Sequence, residues 1–337
     1  MGLVGLFVPP LPAEDAAANQ PPQKRFEFTQ KHMGMPFRIA FYARSEPVAN
    51  EAAAAAFDRI KQLDRTLSDY DPDSELSRLC QTAGGRRAVR VSDDLLAVLI
   101  ASQDLASRSD GAFDVTVGPV VRLWRKARKA RKMPPSDELE AALKLVGYRH
   151  LVINQEAKTA ELCLPGMQLD LGGIAVGYAC DEAMSVLRRH GIASALVDGS
   201  GDIVVSHAPP GERGWRIGVA PRGSPDGPLT RFLTLTNASV TTSGDAWQFV
   251  EIGGHRYSHI VDPATGLGLT DRSSVTVVAP TGILADSYAT AASVLAAEHA
   301  IQLIEGTCNA AVLIVRAPGG KEETLVSSRW RQYELGQ

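Results

Sequence analysis

The chain has 337 residues, with 35 Lys and Arg against 38 Asp and Glu, a net charge of −3, and 45% apolar and 22% charged residues. This is ordinary globular composition; it excludes disordered, collagen-like and disulfide-framework classes and gives no global attraction to nucleic acid. Cys80, Cys163, Cys180 and Cys308 stand far apart, with neither a CxxC pair nor a histidine at zinc-ligand spacing, so structural zinc is not expected.

The first segment, Met1-Gly-Leu-Val-Gly-Leu-Phe-Val-Pro-Pro and an Ala/Asn/Gln/Pro-rich run, reads as a flexible leader or residual export signal over residues 1–29, with a single domain over 30–337. No stretch approaches the ~18 continuous apolar residues of a membrane span, so a soluble chain is expected. No cysteine follows the leader to take a lipid. Alternation over 37–43 predicts a strand, and Phe57, Ile60, Leu63 and Leu67 predict a helix over 47–68. Ser92-Asp-Asp opens a capped helix; another begins at Pro134 and ends by Gly147. Strands are expected at 150–154 and 159–163, and a helix over 174–190, stopped by Gly191. Strands then follow near 195–198, 202–206, 215–220, 231–236, 247–252, 256–261 and 274–279, before a last long helix over 284–304. Strands in runs and helices in blocks predict an α+β fold, not a doubly wound sheet.

Five places carry residues suited to chemistry. Leu169-Asp-Leu-Gly-Gly-Ile-Ala-Val-Gly-Tyr178 sets an acid and glycines at a strand-to-helix junction, where backbone N–H groups could face an anion. The segment alone is equally a tight turn capped by Asp170, and it lacks both nucleotide-binding glycine patterns. Asp286 and Thr290, four apart on an Ala-rich helix, point oxygens from one face and suit a hard cation, or a hydrogen-bonded helix edge. His259 stands where a strand runs into the turn Asp262-Pro-Ala-Thr-Gly266, placed to exchange a proton with a phosphate or hydroxyl, or to bond local backbone. Thr241-Thr-Ser-Gly-Asp245 lines the same pocket or is only a turn. Residues 122–132 hold seven basic side chains in eleven, six of them on one helical face opposite Leu123, Trp124, Ala127 and Ala130. That face is solvated, or meets an acidic protein or a membrane surface; with no aromatics among the charges, nucleic acid is not the partner.

In order and spacing, Met33-Gly-Met-Pro-Phe, Leu67-Ser-Asp-Tyr-Asp-Pro-Asp-Ser-Glu-Leu, Asp110-Gly-Ala-Phe-Asp-Val-Thr-Val-Gly-Pro and Asp170-Leu-Gly-Gly-Ile-Ala resemble the ApbE family of FAD:protein FMN transferases. Thr242-Ser-Gly-Asp, Tyr257-Ser-His-Ile-Val-Asp-Pro-Ala-Thr-Gly and Val277-Val-Ala-Pro-Thr-Gly-Ile-Leu-Ala-Asp-Ser-Tyr-Ala-Thr290 continue the series. The resemblance implies a T-fold-like α+β enzyme of antiparallel sheets packed with helices, exported or periplasmic. Such an enzyme uses Mg²⁺ to cleave FAD, releases AMP and links FMN to a Thr or Ser hydroxyl of an acceptor redox protein. It further implies Asp286, Thr290 and the Gly173 carbonyl as magnesium ligands and His259 as base or proton shuttle. Met33, Tyr70, Ala112, Phe113, Asp114 and Asp170 would hold FAD, with Tyr70 as an aromatic face and the carboxylates binding its hydroxyl or amino groups.

The sequence departs from the family pattern at three points. Val176 stands where members commonly carry a lysine facing FAD, Val197-Asp-Gly-Ser-Gly-Asp202 replaces an Asn-Leu-Gly-Gly-Asn-like run, and the basic segment replaces a Gly-Phe-Gly-like continuation after Trp124. Two other readings use the same residues: an FAD diphosphatase giving FMN and AMP, and a non-catalytic FAD-binding protein.

Overall fold

A computed structural model of the chain describes residues 22–220, 222, 229, 231–244, 248–317 and 321–334. It opens with the hairpin of β1 (Lys24–His32) and β2 (Met35–Ala43), turned at Met33 and Gly34, both at positive φ. Next come α1 (Glu46–Leu67), α2 (Glu75–Gln81), β3 (Val89–Arg90) and α3 (Asp93–Arg108), the last capped by the Ser92 hydroxyl, which accepts the Leu95 N–H at 3.3 Å. The chain continues through α4 (Gly118–Ala130), α5 (Ser136–Leu143), β4 (Leu151–Asn154), β5 (Thr159–Leu162), α6 (Ala175–Arg189), β6 (Ala195–Gly199), β7 (Asp202–Val205), β8 (Trp215–Val219) and β9 (Arg231–Leu235). It ends with β10 (Ala238–Gly244), β11 (Phe249–Ile252), β12 (His255–Ser258), β13 (Ser273–Ala279), α7 (Gly282–Val294), α8 (Ala297–Glu305), β14 (Ala311–Arg316) and β15 (Glu323–Val326).

Eight strands form one sheet in the order β1-β2-β6-β7-β10-β13-β14-β15, every neighbouring pair antiparallel. Alternation along the strands sends side chains to two faces. Phe37, Ile39, Phe41, Val197, Val275, Val277 and Val312 join the core under α1, α6 and α7, while Leu196, Val205, Val240, Val278 and Leu313 pack with β8, β9 and Trp330. α1 supplies its side of the core from Ala49, Ala52, Ala53, Ala56, Phe57, Ile60 and Leu63, one helical stripe. A third, smaller cluster joins α4 and α5 to the β11–β12 hairpin through Val120, Trp124, Ala127, Ala142, Val250 and Val261.

The α+β architecture of antiparallel sheets packed with helices is as expected, with three local corrections. β1 begins at Lys24, so the last residues of the segment read as a leader belong to the sheet; residues 1–21 lie outside the described residues, as do Asp245 and Trp247. Thr241 to Gly244 are no turn but the end of β10, a central strand in which the hydroxyls of Ser239, Thr241 and Thr242 find partners on neighbouring strands. Thr242 pairs with Thr276 at 2.8 Å, and Ser239 donates to the Ile203 carbonyl at 2.8 Å. The long terminal helix is broken: Leu295 and Ala296 are extended, so α7 stays on β10 and β13 while α8 turns to β14.

Candidate functional site

The first N-terminal turns of α6 and α7 lie in direct contact because both carry glycine there. A Cβ on Gly177 would stand 2.2 Å from the Gly282 carbonyl oxygen, and one on Gly282 2.3 Å from that of Gly177, distances no side chain tolerates. This approach lets the Gly177 N–H donate to Asp286 Oδ2 at 3.0 Å. It also brings Gly173 onto Thr290, whose Oγ1 is 2.8 Å from the position of a Cβ on that glycine. Gly173, Asp286 and Thr290 are therefore gathered in one corner.

Its electrostatics suit a cation. Asp286 is 5% exposed, and burial together with Asp202 and Asp181 pushes its carboxyl well above the ordinary carboxylate range, against the opposing hydrogen bond from Gly177. Burial pushes Asp202 and Asp181 up to about 6 as well. Thr241 donates to Asp202 at 2.7 Å, and Asp181 caps α7 by accepting from Gly282 and Ile283 at 2.7 and 2.9 Å. Among the described residues Asp286 Oδ1 accepts no hydrogen bond. A buried carboxylate with an uncommitted oxygen, a hydroxyl one helical turn on and backbone without an intervening Cβ form the hard-oxygen donor set that Mg²⁺ takes, usually completed by water and phosphate.

A second centre is Arg125, on the inner side of α4. Its guanidinium pairs with Asp69, donates to Asp170 at 2.7 Å and covers the Tyr70 ring at 4.2 Å from the centroid. Tyr70 is otherwise 76% exposed. Asp170 Oδ1 accepts the Gly172 N–H at 2.9 Å, and its own N–H donates to Val115 at 2.8 Å, which ties the glycine junction to the 112–115 loop. Burial and the neighbouring Asp69 hold the Asp170 carboxyl above its ordinary range despite Arg125.

The histidine turn also rests on α4. Trp124 Nε1 donates to the Gly266 carbonyl at 2.7 Å, and its ring lies 5.1 Å from that of Tyr257. Arg128 reaches Gln248 Oε1 at 3.4 Å. The Gln248 carbonyl accepts the His259 N–H at 3.0 Å and faces His259 Nδ1 at 3.1 Å. A carbonyl can only accept, so a neutral His259 carries its proton on Nδ1 in this contact, and Nε2 is the basic nitrogen.

A model of the ApbE family matches residues 33–314. The chain belongs to the ApbE family. The FAD:protein FMN transferase of Klebsiella pneumoniae (strain 342) is 30% identical over 313 residues, 91% of this chain and 89% of the relative. That of Treponema pallidum (strain Nichols) is 34% identical over 284 residues, 79% of this chain and 78% of the relative. The solved flavin transferase ApbE from Vibrio cholerae superposes with a TM-score of 0.80 at 27% identity, covering 93% of this chain and 100% of that one. The apo flavinyl transferase ApbE of Pseudomonas stutzeri gives 0.81 at 28%, over 94% and 99%.

Several of the side chains assigned to FAD from the sequence are committed to contacts within the protein. Val176 is 7% exposed and fills the space over Gly199, where a Cβ would meet its Cγ1 at 2.6 Å. Phe113 is buried, and the Asp114 carboxylate accepts from Thr116 N–H and Oγ1 at 2.8 and 2.7 Å and from Tyr148 N–H at 2.7 Å, so it braces its loop. Met33 is held by its N–H on Asp64 at 2.9 Å, on the β1–β2 turn, and Ala112 opens the braced loop. The Gly172 and Gly177 N–H groups, expected to face an anion, are spent on Asp170 and Asp286. Sequence reasoning passed over Arg125, Trp124, Gln248 and Asp181. Trp124 and Arg125 sit within the basic segment itself, but nothing local distinguishes the one arginine that turns inward.

Proposed function

We propose that this chain is an FAD:protein FMN transferase that moves FMN from FAD to a Thr or Ser hydroxyl of an acceptor redox protein and releases AMP. The observation that carries the reading is the α6–α7 contact that gathers Gly173, Asp286 and Thr290, joined to likeness along nearly the whole chain to proteins named for that activity. Asp286, Thr290 and the Gly173 carbonyl would hold Mg²⁺, which when bound neutralises the charge of the FAD diphosphate. The stacked Tyr70–Arg125 pair offers a flat, cationic platform to a flavin or adenine, with Asp69 and Asp170 fixing the guanidinium. His259 Nε2 takes the proton of the acceptor hydroxyl as its oxygen attacks the FMN phosphorus; the bond to the AMP phosphate breaks, and AMP leaves with that electron pair.

One incubation tests this. The protein with FAD and Mg²⁺, with and without a purified flavin-accepting domain, is followed for AMP, free FMN and protein-bound flavin. Label on the acceptor with AMP in equal amount is the expected result. AMP and free FMN whether or not the acceptor is present would make the chain a diphosphatase, and intact FAD retained on the chain would make it a binding protein.

A further inference from the structure

We propose that the exposed basic stripe of α4 is the docking surface for the acceptor protein, which meets it with an acidic face; this rests on the transferase reading above. α4 has divided its side chains three ways. Val120, Trp124 and Ala127 are buried against the β11–β12 hairpin. Arg125 is consumed by Asp69 and Asp170, and Arg128 by Gln248. Arg122, Lys126 and Lys129 remain, with Arg131 and Lys132 just past the helix end: all are exposed, and among the described residues none of their side chains makes an ion pair or hydrogen bond. The acids of α5, Asp137, Glu138 and Glu140, are exposed as well and do not pair with them, although α5 packs beside α4 in the same cluster.

Lys126, Lys129, Arg131 and Lys132 at the C-terminal end of the helix outnumber the three neighbouring acids of α5, leave a net positive potential and steer an acidic partner from solution, in a manner that salt weakens. The surface lies beside the chemistry. Arg125 touches Asp170 at the glycine junction, and Arg128 touches the residue whose carbonyl faces His259 Nδ1. A protein delivering a hydroxyl to His259 lies over this helix. A lipid surface fits less well: the apolar face of α4 is already buried, leaving nothing along the helix to insert between headgroups.

The test replaces Lys126, Lys129 and Lys132 together, first by Gln and then by Glu. The probe is a purified redox domain that the wild-type protein is first shown to label with FMN. The expected result is a KM for that domain raised about tenfold by the Gln variant and further by the Glu variant, with a flattened salt dependence. FAD cleavage without acceptor stays unchanged. An unchanged KM overturns the proposal, as does a loss of FAD cleavage in parallel with transfer, which would mean a structural role. Sedimentation with phosphatidylglycerol vesicles is the second arm: vesicle binding lost in the variants while KM holds would assign the stripe to lipid. If the wild type cleaves FAD yet labels no acceptor domain, the transferase reading itself fails and takes this proposal with it.

Discussion

Asp286 and His259 are asked for different things, and single replacements separate them. Asp286→Asn keeps an oxygen for the Gly177 N–H and cannot ionise beside Asp202 and Asp181. The metal-free variant should melt no lower than the wild type, while magnesium-dependent FAD cleavage falls by about 100-fold or more; a collapse of the fold would return Asp286 to a structural role. His259→Gln should leave FAD binding, read by flavin fluorescence, within about twofold, and slow transfer by roughly 10² to 10⁴. The Asp286–Thr290 pair was legible because residues four apart on a helix share a face, whatever the rest of the chain does. Arg125 was not, since its partners Asp69, Tyr70 and Asp170 approach it only through the fold. The packing of Val176 was not legible either, since a branched apolar side chain where a lysine is expected turns into the core over Gly199 only once β6 lies beside α6.

α4 bridges two parts of the site and can be probed at that scale. Trp124→Phe retains most of the packing but loses the hydrogen bond to the Gly266 carbonyl. It should cost about 1 kcal/mol of stability and lower kcat for transfer by about tenfold through displacement of the histidine turn, with KM for FAD unchanged. The contact of α6 with α7 is less forgiving. Gly177→Ala forces a methyl against the Gly282 backbone carbonyl and should destabilise by about 3 kcal/mol in urea unfolding, with magnesium binding lost in the population that still folds. Periodicity made α1, α3, α6 and most strands readable. β10 escaped because its inward positions include Thr and Ser, which are polar in the sequence and satisfied only once β7 and β13 lie beside it. The break at Leu295 and Ala296 carries no glycine or proline to announce it; it is set by where α8 must go to meet β14.

At the scale of the molecule, the acid cluster links stability to pH and metal together. Asp181 and Asp202 have folded-state values raised from 3.8 to about 6, so in the metal-free protein they hold protons that the unfolded chain has already released. Their contribution to stability is full below the unfolded value and is lost as pH rises through about 6, the sign opposite to that of a salt-bridged carboxylate. On the proposed function, a divalent cation held by Asp286 favours the ionised cluster and offsets that loss. Thermal melts should therefore show about 10 mM Mg²⁺ raising Tm by several degrees near pH 7.5 and by less than half as much near pH 5. Equal shifts at both values would mean that the ion binds elsewhere. The α+β class was legible from the order of strands and helices; the order of strands in the large sheet was not, because pairing of β2 with β6 is decided across the intervening helices.

The hydrogen bond between Gly177 and Asp286 spans 109 positions of the chain. A growing polypeptide still on the ribosome, even with α6 already wound, cannot form this contact until α7 emerges and seats itself. On the proposed function, a chain truncated ahead of α7 lacks Asp286 and Thr290 and should neither bind magnesium nor cleave FAD.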